Sequence, residues 1–333
     1  MRAKSTILFI SLAILLIALS IIDLSVGATS IPLTQICAAL VGGDCPETTA
    51  KIVINIRLIK AVVALLCGAA LSVSGLQMQT LFRNPLAGPY ILGISSGASL
   101  GVAIFILGAP LLGLPMAFTQ LGVAGAAWIG AALVLVIIAA VSQRIKDIMV
   151  ILILGMMFSS GVSAIVQILQ YLSKEETLKS FVIWTMGTLG NVTMSQLGIL
   201  LPSVLLGLLL SVLTIKPLNL LLLGEEYARS MGLNLNRSRQ MLFLSTTLLA
   251  GTVTAFCGPI GFIGLAVPHV ARAMFRNADH RVLLPATALL GACVLVFCDI
   301  ISKILTLPVN SITAILGIPI VIWVVVRNKS FSV

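Results

Sequence analysis

Charge is what this sequence has least of. Only 9% of its 333 residues are Asp, Glu, Lys or Arg, against about 25% in a soluble domain, which excludes a water-soluble globular chain. Aromatics are sparse at 5% and do not interleave with a basic stripe, so the net charge of +10 does not describe a nucleic-acid platform. The six cysteines and two histidines have no CxxC or Cys/His spacing, which excludes a zinc ribbon or dithiol redox motif. A membrane enzyme would need His, Asp or Cys gathered at one depth, and the sequence offers no such grouping. It has no GxxxxGK[ST] loop and no Gly-Lys pair, so the chain cannot cradle a nucleotide phosphate in the usual way.

Apolar residues fill the space that charge leaves. They make up 59% of the chain, enough for about ten helices at about 20 residues per span. Their runs are too long and too poorly alternating for outer-membrane barrel strands. An all-α polytopic bundle forming one unit over residues 1–333 is therefore expected. The spans fall near 6–26, 57–81, 90–107, 116–141, 148–171, 194–214, 238–257, 260–275, 282–302 and 311–326. The first run, Ile7 to Ile22, follows Arg2 and Lys4 and precedes small residues, as in a signal peptide. It exceeds the roughly 7–15 residues of such a segment, so it reads as a retained helix.

With the N-terminus inside, 14 of the 20 Lys and Arg lie on the cytoplasmic side, among them Arg2, Lys4, Arg144, Lys146, Arg272 and Lys329. Outside, bases and acids balance. Lys/Arg asymmetry in short loops sets topology, which gives ten spans with both termini cytoplasmic and basic loops facing anionic lipid.

The longest cytoplasmic connection, Lys216 to Arg239, contains Glu225 and Glu226 ahead of Arg229, and Gly232 suits a left-handed C-cap. A short surface helix near 220–232 is expected, either sealing the interface or docking a cytosolic partner. Gly and Pro cluster at Asn84-Pro85-Leu86-Ala87-Gly88-Pro89 and again from Gly258-Pro259 to Pro268-His269. Irregular backbone at membrane depth is tolerated only where protein buries it or where it lines a cavity. Spans 2–5 begin outside and spans 7–10 inside, so the two breaks would be related by an inverted repeat.

Several stretches together resemble the FecCD-type permeases of ATP-binding-cassette importers for iron–siderophore, haem and vitamin B12. They are Arg57-Leu58-Ile59-Lys60, Gly68-Ala69, Ser74-Gly75, Arg83-Asn84-Pro85-Leu86-Ala87, Leu92-Gly93, Leu223-Gly224-Glu225-Glu226-Tyr227-Ala228 with Met231-Gly232-Leu233, Gly258-Pro259-Ile260-Gly261-Phe262, and Asp279-His280-Arg281. The resemblance runs from about residue 20 to 326. It implies the permease fold of type II importers and a dimer, usually with itself. Two cytosolic ATPases would hold the ATP and Mg²⁺, this chain would bind no cofactor or metal, and a periplasmic binding protein would deliver substrate. The setting implied is the bacterial inner membrane.

The resemblance also implies roles for individual residues. Leu223, Gly224, Glu225, Glu226, Arg229, Met231, Gly232 and Leu233 would form the helix that meets the ATPase, the glutamates and Arg229 by charge and Met231 and Leu233 by apolar contact. Arg57, Lys60 and Lys303, at external ends of spans, would dock the binding protein, although Lys303 could equally pair with Asp299. Asn84, Leu86 and Met149 would lie near the cytoplasmic gate, where an apolar constriction can close a pore by dewetting. Met156, Ser159 and Ser160 would line a passage with no high-affinity site. The family's Glu-Leu-Pro-Val-Gly stretch reads Thr306-Leu307-Pro308-Val309-Asn310 here, so its acid is gone. His269 is expected to be structural and His280 a cytoplasmic loop residue. Cys37 and Cys45 share the first external loop, where an oxidising compartment permits a disulfide. The expected cargo is an iron chelate, with vitamin B12 as the alternative. An ion-coupled secondary transporter would share the architecture but needs mid-membrane ionisable groups, and these are almost absent.

Overall fold

The computed structural model describes residues 2–27, 29–109, 120–145 and 147–327, and the described residues form no β-strand. Lys146, Lys329 and the 116–119 start of the expected fourth span lie outside them. Among the described residues, seven helices are long and apolar enough to cross a membrane: α1 (Arg2–Ser25), α3 (Glu47–Leu81), α5 (Gln120–Arg144), α6 (Ile148–Leu172), α8 (Met194–Leu213), α11 (Leu235–Cys257) and α13 (His280–Leu305). Three shorter apolar helices, α4 (Ile94–Gly108), α12 (Ile263–Phe275) and α14 (Val309–Arg327), complete the set of ten. Sequence pattern does not announce α2 (Leu33–Val41) or α7 (Glu175–Thr185), which are too short to span, nor the split of the long cytoplasmic loop into α9 (Ile215–Leu221) and α10 (Glu225–Ser230).

The packing follows an exchange of halves. α3 lies against α13 and α12, and α11 lies correspondingly against α5 and α4. α4 packs on α5 and α6 as α12 packs on α13 and α14. Exchanging helices 3–6 with 11–14 thus maps one set of neighbours onto the other, as an inverted repeat requires. α1 stands outside this exchange and lies along α13.

Small residues allow the closest crossings. A Cβ on Gly75 of α3 would sit 1.8 Å from the Gly264 carbonyl oxygen of α12, and one on Gly68 would sit 2.3 Å from that of Gly291 on α13. Lipid tails are as apolar as leucine, so helices in a bilayer associate by close backbone approach and van der Waals contact, and glycine permits both.

Candidate functional site

The cytoplasmic loop is expected to hold one helix over 220–232 and instead holds two. Gly224 adopts φ +107, where a side chain is strained. The turn before it closes through Leu223 N–H to the Leu220 carbonyl and Gly224 N–H to that of Leu221, both 3.1 Å. Glu225 then begins α10. Its far end is a Schellman cap: Gly232 sits at φ +84, Leu233 N–H donates to the Ala228 carbonyl at 3.0 Å and Gly232 N–H to that of Arg229 at 2.9 Å.

Two residues expected to meet a partner are directed inward. Both Glu225 carboxylate oxygens accept from Nη2 of Arg239, at 2.7 and 2.8 Å, and Arg239 of α11 is only 2% exposed. A guanidinium that deep is costly without an anion, so Glu225 is held as its counter-ion and clamps α10 onto α11. Leu233 packs with Leu220 on the core under the loop. What remains outside is Glu226, Arg229, Gly232 and an apolar cap of Leu222, Leu223, Tyr227 and Met231, each 40–61% exposed.

From beneath this cap, polar contacts lead into the membrane domain. Arg83, which follows α3 with φ +47, lies beside Gly224, whose Cβ would be 3.4 Å from Arg83 Nη1. Asn219 of α9 donates from Nδ2 to Asp279 at 2.7 Å and accepts from the His280 backbone N–H at 2.9 Å. His280 is no loop residue. It opens α13, is 1% exposed, and places Nδ1 2.8 Å from Asn219 Oδ1 and Nε2 3.0 Å from Thr80 Oγ1 of α3. It enters the bundle because Asp279 caps α13 by accepting the Arg281 N–H at 2.9 Å, which makes His280 the first residue of the helix. That bond, joined by the Asn219 amide, holds the Asp279 carboxyl below its ordinary range.

The two Gly/Pro breaks lie against each other. His269 Nε2 donates to the Pro85 carbonyl at 2.7 Å, Arg272 donates to Gln79 at 2.6 Å, and Gln79 donates to the Leu265 carbonyl at 3.0 Å. Tyr90 donates its hydroxyl to the Ile260 carbonyl at 3.1 Å. Asn310 accepts the Gly261 N–H at 2.9 Å, so the amide that stands where the family's pattern differs here steadies the second break. Asn84 closes an Asx turn by accepting the Leu86 N–H at 2.9 Å, and Leu86 is left exposed.

α6 presents three faces. Ile151, Leu152, Gly155, Val162 and Val166 are buried. An aliphatic face carries Ile153, Met157 and Ile168. Between these two, Met149, Met156, Ser160, Ser163 and Gln167 recur at helical spacing as an exposed stripe. Ser159 is half-buried and bonded to the Gly155 carbonyl. Beside the stripe, a cavity of about 270 Å³ is walled in part by Ser95, Ser99, Ser163, Gln167, Gln170 and Thr185, all uncharged.

The external cations have partners within the chain, and Lys303 meets Asp299 as one of its two expected readings has it. Arg57 donates to the Leu24 and Ser25 carbonyls at 2.7 and 3.0 Å and to that of Thr29, capping the end of α1. Lys303 contacts Asp23 of α1 at 2.7 Å and Asp299 at 3.1 Å, and Lys60 contacts Asp299 at 3.0 Å. All three cations are engaged within the chain, by two buried acids and by backbone carbonyls at and just beyond the end of α1. Cys37 and Cys45 are free thiols rather than a disulfide. The face of α2 that carries Ile36 and Ala39 packs with Cys45 and Val53, which leaves Cys37 exposed on another face.

The FecCD transport family model matches residues 15–327. The hemin transport system permease HmuU of Yersinia pestis is 36% identical, covering 98% of each chain. The vitamin B12 import permease BtuC of Klebsiella pneumoniae is 39% identical, over 83% of this chain and 82% of that one. A solved structure described as an inward-facing metal-chelate type ABC transporter superposes with a TM-score of 0.82 at 30% identity, covering 94% of this chain and 96% of that one.

Proposed function

Because the chain belongs to the FecCD transport family, we propose that it is the membrane-spanning subunit of an ATP-driven importer that takes up iron chelates, haem or an iron–siderophore complex. Vitamin B12 is the second reading, favoured by the likeness to BtuC. It is a transport subunit, and the ATPase is a separate chain that binds ATP and Mg²⁺. Two copies would enclose the pathway, with two ATPases inside and a binding protein outside. The location proposed is the bacterial inner membrane with both termini cytoplasmic, supported by 14 of 20 cations falling on that side.

The observation that carries this reading is the cytoplasmic loop, rigid within and apolar without. Leu222, Leu223, Tyr227 and Met231 form the surface an ATPase groove would cover, while the Glu225–Arg239 bond ties that surface to α11. Movement of α10 would reach α3 through Arg83 and through Asn219–His280–Thr80. It would then reach the 84–89 break, where His269 and Arg272 couple α12 to the same point. Leu86 and Met149 would close the inner mouth, and Met156, Ser160, Ser163 and Gln167 would form a wall of weak, uncharged contacts that lets a bulky chelate pass.

The test is reconstitution into liposomes with the ATPase and binding protein that accompany the chain. Uptake of haem, a ferric hydroxamate and cobalamin is then compared with ATP inside and with ion gradients alone. ATP-dependent uptake of one iron chelate is expected. ATP-dependent uptake of cobalamin only would select the second reading, and uptake driven by an ion gradient without ATP would overturn both.

A further inference from the structure

The cytoplasmic end of α1 and the end of α12 enclose a groove of about 790 Å³ that the transport reading does not use. Its floor is apolar, formed by Leu8, Phe9, Met274, Phe275 and Val282, with the Phe9 and Phe275 rings 4.9 Å apart. Its rim carries Lys4 and Arg276, both exposed and neither in an ion pair among the described residues. None of the lining residues is an acid. Arg276 closes α12 at φ +47, a position that glycine or asparagine usually takes, so a long cation stands where the backbone would be more relaxed without it. From this rim α1 continues outward as an exposed aliphatic ridge of Ile7, Ile10 and Ile14.

We propose that this groove binds an anionic glycerophospholipid of the cytoplasmic leaflet. The phosphate lies between Lys4 and Arg276, and the acyl chains lie over the Phe9–Phe275 pair and along α1. Two unpaired cations above an apolar floor match a ligand that is anionic at one end and hydrocarbon at the other, and a free phosphate would leave the floor unused. Such a lipid would brace α1 against α12, the helix whose His269 and Arg272 hold the first break. The proposal rests on the orientation above, with residues 2–6 on the cytoplasmic side.

The test is native mass spectrometry of the full-length protein in mild detergent, titrated with phosphatidylglycerol or phosphatidylethanolamine of the same chains. Each basic side chain near an anionic headgroup contributes about a factor of five in affinity. Lys4→Gln with Arg276→Gln should therefore weaken phosphatidylglycerol binding roughly twenty-five-fold and leave phosphatidylethanolamine binding unchanged. The Lys4→Arg, Arg276→Lys pair should retain binding, and Lys174→Gln with Lys179→Gln, at the other face, should have no effect. Equal binding of the two lipids by the wild type, undiminished phosphatidylglycerol binding in the Gln pair, or displacement of the lipid by inorganic phosphate would overturn the proposal. Labelling of Lys4→Cys, in a background where Cys37 and Cys45 are replaced by Ser, by an impermeant maleimide in inverted against right-side-out vesicles reads the orientation independently, so failure of the lipid site and failure of the orientation give different results.

Discussion

Removing the Glu225 carboxylate should cost more than removing both members of its pair. Arg239 is almost fully buried, its Nε already has no hydrogen-bond partner, and its Nη2 makes both bonds to Glu225 at 2.7 and 2.8 Å. At an effective dielectric of about 20 the attraction at that distance is about 6 kcal/mol, much of it offset by the desolvation of both ions. Truncating one partner of a buried pair costs about 3–5 kcal/mol, because the other charge stays behind unpaired. The Glu225 side chain is 26% exposed, and water can reach the site once it is cut back, so about 2–3 kcal/mol is expected for Glu225→Ala. Arg239→Met removes the buried charge itself and leaves Glu225 free to turn to solvent, so it should cost less, and the double variant should resemble Arg239→Met. Thermal unfolding of the purified chain, with ATP hydrolysis by the assembled complex as a second readout, gives the double-mutant cycle. Single-variant costs that add in the double, or a Glu225→Ala protein as stable as the wild type, would refute the clamp.

Other outcomes follow from other parts of the molecule. Leu223→Glu with Met231→Glu should abolish co-purification of the ATPase without lowering the melting temperature, because both side chains are exposed. Gly75→Ala must move two backbones apart by more than an ångström and should cost at least about 1–3 kcal/mol, whereas Gly161→Ala on the open face of α6 should not lower the melting temperature. Thiol titration of the denatured chain should give six free thiols with or without prior reduction, and in the native protein Cys37 should be alkylated ahead of Cys45. The Asp279 carboxyl is held below its ordinary value in the fold, so its stabilising contribution is complete at neutral pH and is lost as pH falls below the usual carboxylate range. Unfolding scans of Asp279→Asn should lack that part of the acid dependence.

Most spans were legible because each is a long apolar run, the eighth, short and interrupted by Pro268, only because the side-to-side charge balance requires it, and the two breaks because Gly and Pro interrupt such runs at 84–89 and 258–268. The division of the cytoplasmic loop was not, since a glycine ahead of two glutamates resembles an ordinary helix interior until its φ is known. The charges were the least legible. Glu225 and Arg239 are 14 residues apart, and Lys303 and Asp23 are 280 apart. Local spacing therefore offered Asp299 as a partner for Lys303, four residues away, but revealed neither Asp23 nor the carbonyls that receive Arg57. The equal number of acids and bases on the external side was a further hint that they neutralise one another. Asn219 and Thr80 gave no signal, being ordinary polar residues at helix ends until the fold brings them to His280, and Arg83 stood only as part of the 83–87 stretch with nothing to place it beside Gly224.

The tight crossings and the exposed polar stripe proposed to line the pathway lie on different helices. Gly68, Gly75, Gly264 and Gly291 set the distances among α3, α12 and α13, where backbone meets backbone and no larger side chain can be inserted. Met156, Ser160, Ser163 and Gln167 stand on α6, whose exposed face bears no such constraint. Substitutions that suit a new cargo can accumulate on that face without disturbing the crossings, so one scaffold can diverge in what it carries while its glycines stay fixed.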